Sequence, residues 1–197
     1  MLEVKDATIA IGETTLATGL SFTAKDGQLT CITGPEGSGK STLLRTLMGF
    51  LPVKEGFVTV DGELLTVRSA HAFRRMMAYL PQQMQLLRHQ LTAPEAPQCE
   101  AETYAVWGGA DDLSKPQEVV AAPLTPEEIV RLAEETLQVD GSKQIVIADE
   151  PAAMLPSDLA ERMFLLLRQQ ADAGKTVLIA SRHPRLVDYA DQVVELR

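Results

Sequence analysis

Polar and apolar positions alternate at the start of the chain, in short stretches that stop at turn residues. Residues 2–11, 20–24 and 28–33, the last following Asp26-Gly27, carry a two-residue period or a short apolar run, and each predicts a strand. After residue 40 the period changes. Leu43, Leu44, Leu47 and Met48 share one helical face, and Gly49 and Pro52 stop the pattern, so residues 41–50 predict a helix. Residues 56–60 and 63–67 flank Asp61-Gly62, a dipeptide that accepts positive φ at low cost, and together predict a hairpin. Residues 76–80 read as a further strand.

Between residues 84 and 126 the periodicity is lost, and Pro94, Pro97, Pro116, Pro123 and Pro126 fall there. Two readings are open for this stretch: a loop or linker, and a small inserted subdomain of short helices. Order returns at 126–137, where Thr125 and Glu128 have the spacing of a capping box. Strand-like and helix-like stretches then alternate, at 144–148, 156–173, 175–180, 184–190 and 192–196. That alternation predicts an α/β fold with a parallel sheet.

A length of 197 residues predicts one mid-sized domain, residues 1–197. Hydrophobic residues at 45% and charged residues at 23% argue against disorder and fibrous repeats. The longest apolar runs, 76–80 and 163–167, fall far short of the ~20 residues of a membrane-spanning helix. The opening MLEVKDATIAIGE has no apolar signal region, which predicts no export. A net charge of -9 opposes loose binding to nucleic acid or anionic lipid, so any phosphate must be held by a local device. Cys31 and Cys99 make no disulfide framework, and His71, His89 and His183 are scattered, so no metal cluster is expected. The expected compartment is the reducing cytoplasm.

One local device is plain. Gly34-Pro35-Glu36-Gly37-Ser38-Gly39-Lys40-Ser41 fits G-x-x-x-x-G-K-[ST] between a predicted strand and a predicted helix, with Thr42 following. Small residues let backbone N–H groups curl around phosphate oxygens, and the helix N-terminus adds positive potential. Lys40 is placed to reach the β- and γ-phosphates, and the Ser41 hydroxyl to hold Mg²⁺. A nucleoside triphosphate is the expected ligand. Residues 144–148 form a second apolar strand that ends in Asp149-Glu150-Pro151. Asp149 suits a Mg²⁺ ligand, and Glu150 suits a base that polarises water toward a γ-phosphate.

Three segments together, the GPEGSGKST loop, Tyr79-Leu80-Pro81-Gln82 some forty residues later, and the strand ending in Asp149-Glu150-Pro151, resemble the ATP-binding cassette (ABC) ATPases. The resemblance covers nearly the whole chain. It implies an ABC-type P-loop NTPase fold: a mainly parallel sheet core, an antiparallel β-subdomain from residues 1–30 and the 56–67 hairpin, and a small helical subdomain at 84–140. It implies ATP and Mg²⁺ as ligands, with Gln82 reaching Mg²⁺ and the attacking water. It also implies a dimer of nucleotide-binding domains, homomeric or heteromeric, docked on a transmembrane permease at the cytoplasmic face.

Four places depart from the family pattern. The LSGGQ signature is represented by Leu124-Thr125-Pro126-Glu127-Glu128. Pro126 removes an N–H, and Glu127 and Glu128 bring negative charge toward a phosphate, where two unit charges about 4 Å apart interact by roughly 4 kcal/mol at an effective dielectric of ~20. The adenine-stacking aromatic falls near Ile11. The loop after the acidic pair reads Ala152-Ala153-Met154-Leu155-Pro156, without its usual closing Asp. The switch histidine aligns without gaps to Arg182, and a one-residue shift brings His183 to that role.

The expected function is an ATP-hydrolysing subunit that energises an ABC transport complex. Its alternative is a hydrolysis-deficient ATP-binding regulatory or scaffold subunit paired with an intact cassette. A small-molecule P-loop kinase is disfavoured because the chain has no arginine-rich lid.

Overall fold

The computed structural model describes residues 1–84, 124–139 and 141–196. In chain order these form β1 (Leu2–Ile11), β2 (Thr14–Ala24), β3 (Leu29–Thr33), α1 (Lys40–Leu47), β4 (Glu55–Val60), β5 (Glu63–Leu64), α2 (Ala70–Arg75) and β6 (Met77–Leu80). Then follow α3 (Pro126–Val139), β7 (Ile145–Asp149), α4 (Ser157–Asp172), β8 (Thr176–Ala180), a 3₁₀ turn (Pro184–Tyr189) and β9 (Gln192–Glu195).

Two sheets result. One is antiparallel with order β2-β1-β4-β5, and the other is parallel with order β6-β7-β8-β3-β9. The central parallel strands β7 and β8 are buried along their whole length and mostly apolar because both of their faces are covered, whereas edge strand β9 is buried at no position. Val146, Val177 and Ile179 point into a cluster with Phe164 and Leu167 of α4 and Val130 of α3. Ile145, Ile147, Leu178 and Ala180 point the other way, into a cluster with Leu43, Leu44 and Leu47 of α1 and with Leu2, Val4 and Ile9 of the antiparallel sheet. Alternation along each strand therefore assigns successive residues to two cores.

Several expectations shift at their edges. β2 starts at Thr14, earlier than the expected residue 20, because pairing with β1 (Ile11↔Thr14, Ala10↔Thr15) extends it through positions 14–19, none of them buried, where no two-residue apolar period runs. β5 ends at Leu64 because Ser69 Oγ accepts the Thr66 N–H at 2.8 Å and donates to the Leu64 carbonyl at 2.9 Å. That turn opens α2, a helix of six residues too short to leave a periodic pattern. Residues 184–189 form a 3₁₀ turn led by Pro184. Of the expected 84–140 subdomain, the described part is Met84, residues 124–125 and α3; His89, Cys99 and most of the proline-rich stretch lie outside the described residues.

Candidate active site

β3, β7 and β8 are neighbours in one parallel sheet, so their carboxyl ends open on the same edge, where such sheets bind ligands. The glycine-rich loop leaves β3 there. Gly34 has φ +149°, and a Cβ on it would lie 2.5 Å from the Leu196 carbonyl oxygen and 2.8 Å from Ser38 Oγ, so the chain passes β9 only as glycine. Helix α1 follows directly. It is closed by Gly49 at φ +71°, with Phe50 N–H donating to the Arg45 carbonyl and Gly49 N–H to the Thr46 carbonyl, both at 2.9 Å. A helix stopped sharply at one end and packed through Leu43, Leu44 and Leu47 holds its first turn firmly against the loop.

Lys40, the first residue of α1, is only 7% exposed, and its Nζ donates to the carbonyls of Gly34 (2.9 Å) and Pro35 (2.8 Å). Next to it, Ser41 Oγ donates to Asp149 Oδ1 at 3.0 Å, tying the loop to the end of β7. Asp149 is buried, and burial, reinforced by the charge of Glu150, pushes its carboxyl above the ordinary value despite the Ser41 hydrogen bond. Burial and the Asp149 charge likewise raise the Tyr79 phenol. The Cys31 thiol is pushed up to about 11 by burial and by Glu150, so it stays protonated and serves as core.

A carboxyl whose pKa rises on folding contributes stability when protonated and loses it as pH rises through the folded value. Ionised Asp149 therefore weighs against the fold at neutral pH, where a cation would relieve it. Asp149→Asn is expected to raise the melting temperature at pH 7 in the absence of divalent cation, by about 2–4 °C per kcal/mol relieved. The gap should close as the pH is lowered below the ordinary carboxylate value, and Mg²⁺ with nucleotide should stabilise the wild type more than the variant. Thermal melts across pH, with and without Mg-nucleotide, check this.

Glu150 ends the strand in an unusual backbone state. Its φ is +46°, a left-handed conformation costing of order 1–3 kcal/mol in a non-glycine residue. Its N–H donates to the Ala180 carbonyl at 2.8 Å, and the bend directs a carboxylate only 9% exposed toward the loop. There it meets Arg182, whose Nε lies 3.1 Å from Oε1 and whose backbone N–H donates to Oε2 at 3.3 Å. Arg182 Nη1 continues to Glu36 Oε2 at 3.1 Å.

A cavity of about 300 Å³ is bounded by Glu36, Gly37, Gly39, Lys40, Ser41 and Glu150, with Thr42, Gln82 and Arg182 also on its wall. Ile11 and Leu16 close one side, and Ile11, 52% exposed, offers an apolar surface there. Gln82 also borders a second cavity with Ser41 and Asp149, so it lines both the cavity that holds Glu150 and the one that holds Asp149. Pro35 and Ser38 complete the loop. His183 is placed elsewhere: its ring packs edge-on against Phe164, 5.1 Å between centroids. The residue beside Glu150 is Arg182, and period two was the signal for it. Ala180 faces the α1 core, so Arg182 shares that side and His183 falls toward α4.

The 124–128 segment is a capping box. Thr125 N–H and Oγ1 donate to Glu128 Oε2 at 2.8 and 2.9 Å, and Glu128 N–H reaches Thr125 Oγ1 at 3.3 Å. The expectation that Glu128 faces outward toward a phosphate is corrected by this geometry, because its carboxylate turns back to the N-terminus of α3. Glu127 remains exposed.

The residues fit a triphosphate with a hard divalent cation. Ser38 Oγ is buried without a hydrogen-bond partner at the centre of the loop, Lys40 supplies a buried cation, and Ser41 and Asp149 supply oxygen ligands. Among the described residues no three His, Cys, Asp or Glu side chains converge, so such a cation would complete its shell with phosphate oxygens and water.

Comparison with known proteins agrees with this geometry. A family model described as ABC transporter matches residues 17–153. An ABC transporter ATP-binding/permease protein of Mycobacterium tuberculosis is 32% identical over 213 residues, which is 99% of this chain and 24% of that protein. The macrolide export ATP-binding/permease protein MacB of Escherichia coli is 29% identical over 198 residues, 91% of this chain and 30% of its own. The chain thus spans about a quarter to a third of the length of these relatives. Among solved structures, a dimeric ATP-binding cassette in a post-hydrolysis state with ADP and Pi superposes with a TM-score of 0.70 at 19% identity, covering 100% of this chain and 94% of that one. A nucleotide-free cassette from an ABC transporter gives 0.72 at 20% identity, covering 100% and 87%.

Proposed function

The chain belongs to the ABC transporter family, and from that premise we propose that it binds and hydrolyses Mg-ATP to energise a membrane transport complex. The observation that carries this reading is the convergence of Lys40, Ser41, Gln82 and Glu150 on one cavity, with Asp149 bonded to Ser41 beside it. In this reading the loop amides of residues 34–42 and Lys40 hold the phosphates, and the base packs against Ile11 without the stacking geometry of an aromatic ring. Ser41, Asp149 and Gln82 would hold Mg²⁺, which would supply positive charge to the phosphate oxygens. Glu150 accepts a proton from the attacking water.

The proposed partners are a transmembrane permease and a second cassette, homomeric or heteromeric, with the chain at the cytoplasmic face. Relatives are named ATP-binding/permease proteins. No described helix of this chain is long and apolar enough to cross a membrane.

A second reading, an ATP-binding subunit that depends on an intact cassette for turnover, is favoured by one observation. The Thr125 hydroxyl is spent on Glu128, and the next residue, Pro126, has no N–H to offer a phosphate across a dimer. ATP turnover by the purified chain, with light scattering in Mg-ATP, separates the two. Turnover with an ATP-dependent homodimer supports the first reading; tight ATP binding with neither supports the second; absence of nucleotide binding overturns both.

A further inference from the structure

A cavity of about 410 Å³ opens where the end of α1 meets the β4–β5 hairpin, and it shares no residue with the proposed ATP cavity. A Cβ on Gly49 would lie 2.6 Å from Ala70 Cβ and 3.3 Å from Leu65 Cδ1, so the end of α1 and the start of α2 close on one another there. The rim projects into solvent: Val67 is 87% exposed, Phe50 60%, Leu64 51% and Phe57 40%. Single exposed apolar residues are ordinary, but four large ones around one opening mark an interaction face. Two of the four carry cations. The Arg74 guanidinium lies 4.8 Å from the Phe50 ring centroid, and the Lys5 ammonium lies 6.0 Å from that of Phe57. Lys54, Arg68 and Arg75 are exposed close by in the chain and pair with no carboxylate among the described residues.

The charge of this face runs against that of the chain. Residues 45–75 hold five Lys and Arg against three Asp and Glu, in a protein with 18 against 27 overall. One of those three acids, Glu55, is engaged by the Thr8 hydroxyl at 3.1 Å. At physiological ionic strength the Debye length is about 8 Å, so a surface approaching this face meets the local cations rather than the remote net charge. We propose that this face is a contact for an anionic membrane, in which Phe50, Leu64 and Val67 enter the headgroup boundary of the bilayer while Lys54, Arg68 and Arg75 pair with lipid phosphates. Basic side chains beside projecting apolar ones are the combination by which proteins lie on an anionic lipid surface. A protein helix seated in a groove would find its apolar contacts inside. Here they project from the rim, which favours the bilayer as occupant. The proposal goes beyond the ATP reading and uses none of the residues of that site.

The test is flotation of the full chain with liposomes of phosphatidylcholine alone or mixed with phosphatidylglycerol, at about 0.15 M salt. Phosphatidylglycerol is expected to tighten binding at least about tenfold. Arg68→Glu combined with Arg75→Glu should bring binding down to the level on phosphatidylcholine alone, and about 1 M salt, where the Debye length is about 3 Å, should do the same to the wild type. Val67→Ser should weaken binding about fivefold and keep the preference for the anionic lipid. All three positions are exposed, and a melting temperature equal to that of the wild type shows that the fold is kept. Equal binding to the two liposomes, or a charge-reversed variant that floats as the wild type does, overturns the contact. Binding to neither overturns it as well and leaves an acidic amphipathic helix as the occupant to seek. A wild type that floats with anionic liposomes but binds no Mg-ATP defeats the ATP reading and leaves this one standing.

Discussion

Replacing Lys40 with alanine is expected to weaken Mg-ATP binding by more than about 100-fold, a loss of ~3 kcal/mol. The ammonium is 7% exposed at the first residue of α1, and its Nζ donors already lie within 3 Å of the loop carbonyls of Gly34 and Pro35. A phosphate in the cavity would meet that charge where little water screens it, so the interaction counts for more than a surface ion pair. The substitution also leaves two loop carbonyls without their donor, which adds a stability loss of about 1 kcal/mol. Calorimetric titration with Mg-ATP beside a thermal melt checks the prediction. Near-native affinity in a folded Lys40→Ala protein would remove Lys40 from the phosphate site.

The second large effect is expected at Glu150. Glu150→Gln should lower ATP turnover by at least about 100-fold, the lower range for loss of a general base, while leaving ATP affinity within a few-fold. A Gln side chain has the same shape, and its carbonyl oxygen can still accept from Arg182 Nε at the position 3.1 Å away. What disappears is the acceptor of the water proton. With turnover arrested, an ATP-bound dimer should accumulate and be visible by light scattering if the chain pairs with itself. Turnover in Glu150→Gln equal to wild type would move the base elsewhere. An arrested variant that stays monomeric in Mg-ATP would favour the reading in which an intact cassette must complete the site.

Much of this chain was legible without a structure because the deciding forces are local. The phosphate loop joins a strand to a helix at residues 33–40, where glycine spacing and the following apolar face are read over a dozen positions. The capping box at Thr125 and Glu128 follows from a three-residue spacing, and the parallel sheet follows from apolar runs that alternate with helical faces. β2 extends past its sequence signal because its first six residues, 14–19, are exposed or half-exposed and held by pairing with β1, a force that leaves little hydrophobic trace. Helix α2 was missed because six residues hold too few turns to show a period.

The pairing of Glu150 with Arg182, and of Arg182 with Glu36, lies beyond any local rule. Those partners are 32 and 146 residues apart, and they meet only because β8 lies between β7 and β3 in the sheet. Which of two adjacent residues enters the cavity depends on strand parity. Just past the end of β8 at Ala180 the chain turns Arg182 to Glu150 and His183 to Phe164. The sequence by itself determined that a phosphate loop, a metal-side Asp149 and an acidic Glu150 exist in one α/β chain, since motif and period are properties of neighbouring residues. Only the tertiary structure decided what Glu150 touches, because that contact is set by strand order and register, and these follow from the packing of two cores on opposite faces of one sheet.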